Sequence, residues 1–218
     1  MSSDSKKENN KFDNLYPSSR FGYKVARNIL HWTGDTVTLA GTGNGVITLF
    51  GTLQNEYWTD AEDIDKEPTA FCYFLAQNFK GKSIRLDIPS VSEENLLYYI
   101  KNVIVNKKPL GMAFRVYESM NQSGKSGKIP HPCKQEKLIC YHYVSIVGYD
   151  DKIKIRNENC DRISIGAINI ANSWGVEWGE DGYGWLPYDY ILNSLVKECW
   201  MMIKSDYKDI TQFKPDKK

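Results

Sequence analysis

The stretches HYVSIVGYDD, residues 142–151, and GAINIANSWGVEWGEDGYGW, residues 166–185, decide how this chain folds. The first opens on a histidine, runs on as an apolar segment of strand length and ends in two acids. The second alternates Ile168 and Ile170 with Ala167, Asn169 and Ala171, the period of a half-buried strand, and delivers Asn172 at its end. The polar segment between them, DDKIKIRNENCDRIS (150–164), reads as a connecting loop. Strands joined in this way are antiparallel neighbours, so the start of the first lies beside the end of the second. His142 and Asn172, thirty residues apart in sequence, are then expected to meet. An imidazole with one nitrogen bonded to an amide oxygen is held in a single tautomer and orientation, as a base serving a thiol nucleophile requires.

Working outward, LGMAFRVY (110–117), YGWLPY (183–188) and ECWMMI (198–203) add strand-like segments between loops rich in Gly, Asn, Asp and Lys. Upstream the period becomes helical. In SVSEENLLYYIKNVIVNKKP (90–109), Ser92 can cap a helix and Glu93 and Glu94 sit at its positive end. Leu96, Leu97, Ile100, Val103 and Ile104 form its apolar face, and Pro109 prevents its continuation. PSSRFGYKVARNILHW (17–32) starts on Pro17 and Ser18 and repeats Phe21, Val25 and Ile29, and PTAFCYFLAQNF (68–79) reads as a shorter helix containing Cys72. Gly41, Gly43 and Gly45 precede an apolar segment but lack the spacing of a phosphate-binding loop. Helices early and strands late predict an α+β chain, with a helical lobe over about 15–90 and a β-rich lobe over about 91–205. Residues 1–14 have the composition of a disordered tail, and 206–218 form a polar C-terminal tail.

Lys+Arg 28 against Asp+Glu 27 leaves no excess charge to attract nucleic acid or an anionic membrane surface. No apolar run reaches a membrane span, and the first residues lack the apolar core of a secretory signal. Cys72, Cys133, Cys140, Cys160 and Cys199 are odd in number and scattered, which fits reduced thiols better than a disulfide framework and favours a cytoplasmic location. A zinc reading of Cys133, Cys140, His142 and Cys160 matches no common finger or ribbon spacing.

HYVSIVGYDD followed by NSWGVEWGEDGYGWLPYDYI resembles the C-terminal part of papain-like (C1 family) cysteine peptidases. KPLGMAFRVYESM with SGKIPHP, and SSRFGYKVARNIL, are similar to segments of bacterial-type members, so the resemblance covers roughly residues 16–204. It implies a two-lobed papain-like fold whose helical lobe is incomplete and whose C-terminal lobe is a β-barrel-like antiparallel sheet. It implies peptide-bond hydrolysis through a thioester, with His142 as general base and acid and Asn172 as its orienting partner. Trp174 would shield their hydrogen bond and Trp178 would line the leaving-group side of the substrate cleft. No metal and no organic cofactor is implied, and the partner is a peptide or protein substrate. The family's nucleophile opens a helix in a Gly-Ser-Cys-Trp or similar context upstream of the segment like SSRFGYKVARNIL, where this sequence has only MSSDSKKENNKFDNLYP. The nucleophile is therefore left unassigned, and an upstream polypeptide is the expected source of its helix. Cys72, in an apolar helix, and Cys140, too close to His142 along one strand, are poor substitutes. The chain is expected to be inactive alone, as part of a split or partial peptidase; a peptide-binding pseudoenzyme is the alternative.

Overall fold

The computed structural model describes residues 16–204, and the two expected tails lie outside the described residues. The described chain divides at Gly81/Lys82 into two compact units. The first is built on three α-helices around one apolar cluster. Helix α1 (Ser19–Ile29) starts where the sequence predicts: Ser18 Oγ accepts from Phe21 N at 2.9 Å, and Phe21, Val25 and Ala26 are buried. Gly41, Gly43 and Gly45 lie inside α2 (Ala40–Leu49) although glycine disfavours helix. Asn44 Nδ2 and Thr48 Oγ1 donate to carbonyls one turn back, and Val46 is buried in the cluster, so packing overrides propensity. Helix α3 (Ala70–Ala76) is capped by Thr69 and buries Cys72 and Leu75. Arg27 is fully buried; it donates to the carbonyls of Gly34 and Ile64 and, at 2.8 Å, to Asp65 Oδ1. That side chain ties α1 to two loops which have no regular structure of their own.

The second unit carries a six-stranded sheet. Its strands are β1 (Gly81–Arg85), β2 (Leu110–Tyr117), β3 (Leu138–Asn157), β4 (Arg162–Ala171), β5 (Tyr183–Pro187) and β6 (Val196–Lys204), in the order β1-β6-β2-β3-β4-β5. The sheet is open, with β1 and β5 as edges, so the expected barrel-like closure is corrected. After β5 the chain turns directly into α5 (Tyr188–Leu192), which packs on β4 and on α4 (Glu93–Val105). Helices therefore cover the apolar face that a closed barrel would cover with itself. Into that layer point Met112, Phe114 and Val116 of β2, Val144 and Ile146 of β3, Ile168 and Ile170 of β4 and Leu186 of β5, against Leu96 and Ile100 of α4 and Ile191 of α5. Each such side chain, fully buried, contributes about 1.5–3 kcal/mol.

The segment 150–164 is not a loop, because β3 and β4 stay paired from Ser145↔Ala171 out to Asn157↔Arg162. The alternation of Ile153 and Ile155 with lysines, and of Ile163 with Ser164, is the strand signal that the segment's polarity masks. The hairpin turn beyond Asn157 carries Cys160, which is disulfide-bonded to Cys133 in the β2–β3 connection, Cα–Cα 6.2 Å. The sequence favours reduced thiols over a disulfide framework, but the extended hairpin brings together two of the five cysteines, 27 apart in sequence, as one bridge. Cys72, Cys140 and Cys199 are free.

Candidate active site

His142 lies in β3 directly across from Phe114 of β2, and the β3–β4 register that pairs Ser145 with Ala171 carries Asn172 to its side. His142 Nε2 and Asn172 Oδ1 are 2.8 Å apart. The same oxygen accepts from Ser173 N at 2.8 Å, which orients the amide with its oxygen toward both donors. Nε2 therefore carries the proton, and the lone pair of the neutral ring sits on Nδ1. Asn172 is itself held by its backbone N–H, which donates to Gly182 O at 2.9 Å. Gly182 has φ +87°, so the reversal that aims this carbonyl back at Asn172 favours glycine.

Aromatic rings surround the imidazole. Trp174 stacks on it with centroids 4.8 Å apart and planes 25° apart, and Phe114 meets it edge-on at 5.9 Å. Trp178 stands nearly perpendicular to Trp174 at 5.6 Å. Trp174 is 46% exposed whereas Trp178 is only 9% exposed and belongs to the core of the sheet unit. The indole N–H of Trp178 donates to Ser123 Oγ at 3.3 Å, and its ring lies so close to Gly184 that a Cβ there would come within 2.4 Å of it. The structure thus brings together all four residues singled out from the sequence, His142, Asn172, Trp174 and Trp178. Two further members of the cluster, Phe114 and Ser123, were not singled out. The alternation of Met112, Phe114 and Val116 announces a buried face that includes Phe114, while nothing in QSGKSG marks Ser123.

The free thiols sit in different surroundings. Cys72 is buried in the first unit, where its sulfur accepts from Thr69 Oγ1 at 3.3 Å. Cys140 is exposed on β3. Cys199 is buried, and burial pushes its thiol far above the ordinary range, a setting that keeps it protonated. Among the described residues no group of three or more His, Cys, Asp and Glu side chains is placed to hold a metal ion.

A second polar cluster fixes the connection between β2 and β3. The Glu136 carboxylate accepts from Ser119 N at 2.9 Å, Cys133 N at 2.8 Å and Asn157 Nδ2 at 3.0 Å. Burial opposes its charge, but these donors outweigh it and hold the carboxyl below its ordinary range. Buried His131 lies beside it, with Nδ1 3.0 Å from Pro132 O and Nε2 3.1 Å from Asn193 Nδ2. Nδ1–H donates to the carbonyl, so Nε2 accepts from the amide and the ring is neutral. Burial, with a contribution from Arg162, lowers its proton affinity.

The geometry agrees with similarity to known proteins. A family model described as papain family cysteine protease matches residues 60–205, about two thirds of the chain. An uncharacterised peptidase C1-like protein of Acanthamoeba polyphaga mimivirus is 29% identical over 181 residues, 80% of this chain and 54% of the relative. The chain thus spans about half the length of that curated relative. Among solved structures, xylellain, a cysteine protease from Xylella fastidiosa, is 28% identical with a TM-score of 0.72 over 87% of this chain and 70% of its own. The cysteine protease CMS1MS2 of Carica candamarcensis, solved in complex with E-64, shares the fold at 17% identity, with a TM-score of 0.54 over 89% of this chain and 79% of its own.

Proposed function

This chain belongs to the papain family of cysteine proteases, and we propose that it supplies the base half of a Cys-His-Asn site that hydrolyses peptide bonds in a peptide or protein substrate. The observation that carries this reading is the 2.8 Å bond from His142 Nε2 to Asn172 Oδ1 beneath the stacked ring of Trp174. With Nε2–H committed to Asn172, Nδ1 is the nitrogen that takes the proton of an attacking thiol and later returns it to the leaving amine. The face of Trp174 favours the imidazolium formed in between, since the negative potential over an indole ring attracts a cation. The thiolate attacks the carbonyl carbon, the amine leaves with the proton from Nδ1, and water then cleaves the thioester with His142 again as base. In this reading the nucleophile is a cysteine that another segment or a second polypeptide supplies together with its helix.

Labelling with a thiol-reactive epoxide, followed by intact mass and peptide mapping, tests this. The chain alone is expected to react no faster than a free thiol. Co-refolded with a polypeptide that bears the nucleophile helix, it should yield one rapidly labelled cysteine on that polypeptide, and His142→Ala should abolish the acceleration. Rapid labelling of a cysteine in this chain, lost in His142→Ala, would move the nucleophile here; no acceleration in any mixture would leave a binding role without hydrolysis.

A further inference from the structure

We infer that Ser123, in the connection between β2 and β3, is a positioning residue for His142, acting through Trp178 and Trp174. The inference rests on His142 being the base of the site. Ser123 is 1% exposed; its hydroxyl donates to Met120 O at 2.7 Å and accepts from the indole of Trp178 at 3.3 Å. An indole N–H this deeply buried needs an acceptor, because stranding it costs the desolvation of the group. Backbone bonds add to the attachment: Gly179 N, next to Trp178, donates to Gly124 O at 2.9 Å, and Trp185 N of β5 donates to Gly127 O at 2.8 Å. The connection therefore holds the side chain of Trp178 and the backbone of the residue that follows it.

What rests on Trp178 is less well held. Trp174 is half exposed, and its ring meets that of Trp178 near-perpendicularly and stacks on the imidazole of His142. Without the Ser123 hydroxyl, the Trp178 indole must turn to find another acceptor, and the perpendicular contact that fixes Trp174 goes with it. A mobile Trp174 stacks less on His142 and stabilises the imidazolium less, so the histidine holds its proton less tightly. The charged and titratable residues next to His142 in the β2–β3 register are Arg115 on β2 and Cys140, Tyr141 and Tyr143 on β3, with Glu177 between Trp174 and Trp178 in sequence. They are common to every variant below, so their influence cancels in the comparison.

The experiment is a proton NMR titration of the imidazoles in the full chain, with His142 identified among three histidines by its loss in His142→Ala. Ser123→Ala should lower the His142 midpoint by about half a pH unit or more. Trp178→Phe, which removes the same hydrogen bond from the other side, should do likewise, and the double variant should add nothing further. Ser123→Thr, which keeps the hydroxyl, should restore the midpoint. A His142 midpoint unmoved by Ser123→Ala, or additive shifts in the double variant, would overturn the inference and leave Ser123 a packing residue. If the alanine variant does not fold, Ser123→Cys preserves the volume with a weak acceptor and carries the same expectation. The readout needs no nucleophile, so failure of hydrolysis leaves the coupling standing, and hydrolysis with an unmoved midpoint removes Ser123 alone.

Discussion

Opening the Cys133–Cys160 bridge is a perturbation whose magnitude can be worked from the structure. The bridge spans 27 residues, and closing a loop of that length removes about 12 cal/mol/K of unfolded-chain entropy, about 3.5 kcal/mol at 25 °C. The folded state should lose less, because Glu136 still binds Ser119, Cys133 and Asn157, and Gln122 still binds Asn157 at 3.1 Å. The cost then falls on the unfolded side, where the released chain is more expanded. Urea unfolding of a Cys133→Ser, Cys160→Ser double variant should show a lower midpoint and a steeper slope, with a loss of about 3–4 kcal/mol. Cys140 is exposed and free, so Cys140→Ser belongs in the background of every variant to prevent thiol exchange. A reductant should shift the parent to the midpoint of the double variant and leave the double variant unmoved. If the unfolding free energies of the parent and the double variant agree without reductant to within about 0.5 kcal/mol, the entropy argument fails; a non-reducing peptide map without a 133–160 link would remove its premise.

Acid should weaken the same region through His131. Its proton affinity is lowered on folding by burial, so the unfolded state binds the extra proton first and stability falls as pH drops below the unfolded midpoint of about 6.5. Protonation would also set Nε2–H against the Asn193 amide. His131→Gln should flatten the change in unfolding midpoint between about pH 7 and pH 5, and a variant that still follows the parent curve would refute the assignment. Phe114→Ala should cost about 3–5 kcal/mol, because Phe114 is fully buried and contacts the rings of both His142 and Tyr190; thermal unfolding checks it, and a loss under about 1 kcal/mol would contradict the packing. Arg27→Ala should destabilise the first unit by about 2–4 kcal/mol by stranding the carbonyls of Gly34 and Ile64, read as earlier proteolysis around residues 31–37 and 60–67. Unchanged cleavage there would refute that role.

The parts of the structure legible in the sequence are those whose determinants are local. Ser18 and Ser92 cap the helices they precede because an Ncap hydroxyl needs only the amide three residues on, and the period-two alternation in 110–117 marks β2 to the residue. The meeting of His142 with Asn172 was legible for a related reason: an antiparallel pair converts one connection into one register, and the register fixes which ends touch. Where the determinant is distant, the sequence is mute or misleading. The helix through Gly41, Gly43 and Gly45 exists because Val46 is buried by neighbours that no local pattern announces. Cys133 and Cys160 meet only after β3 and β4 have extended to Asn157 and Arg162, a pairing disguised by the charges on the outer face of the hairpin. Ser123 is the limiting case, since a serine between a glutamine and a glycine has no pattern to belong to. Its significance arises from the tryptophan that lands on it 55 residues later, and a residue defined by what arrives from so far along the chain can be found only in three dimensions.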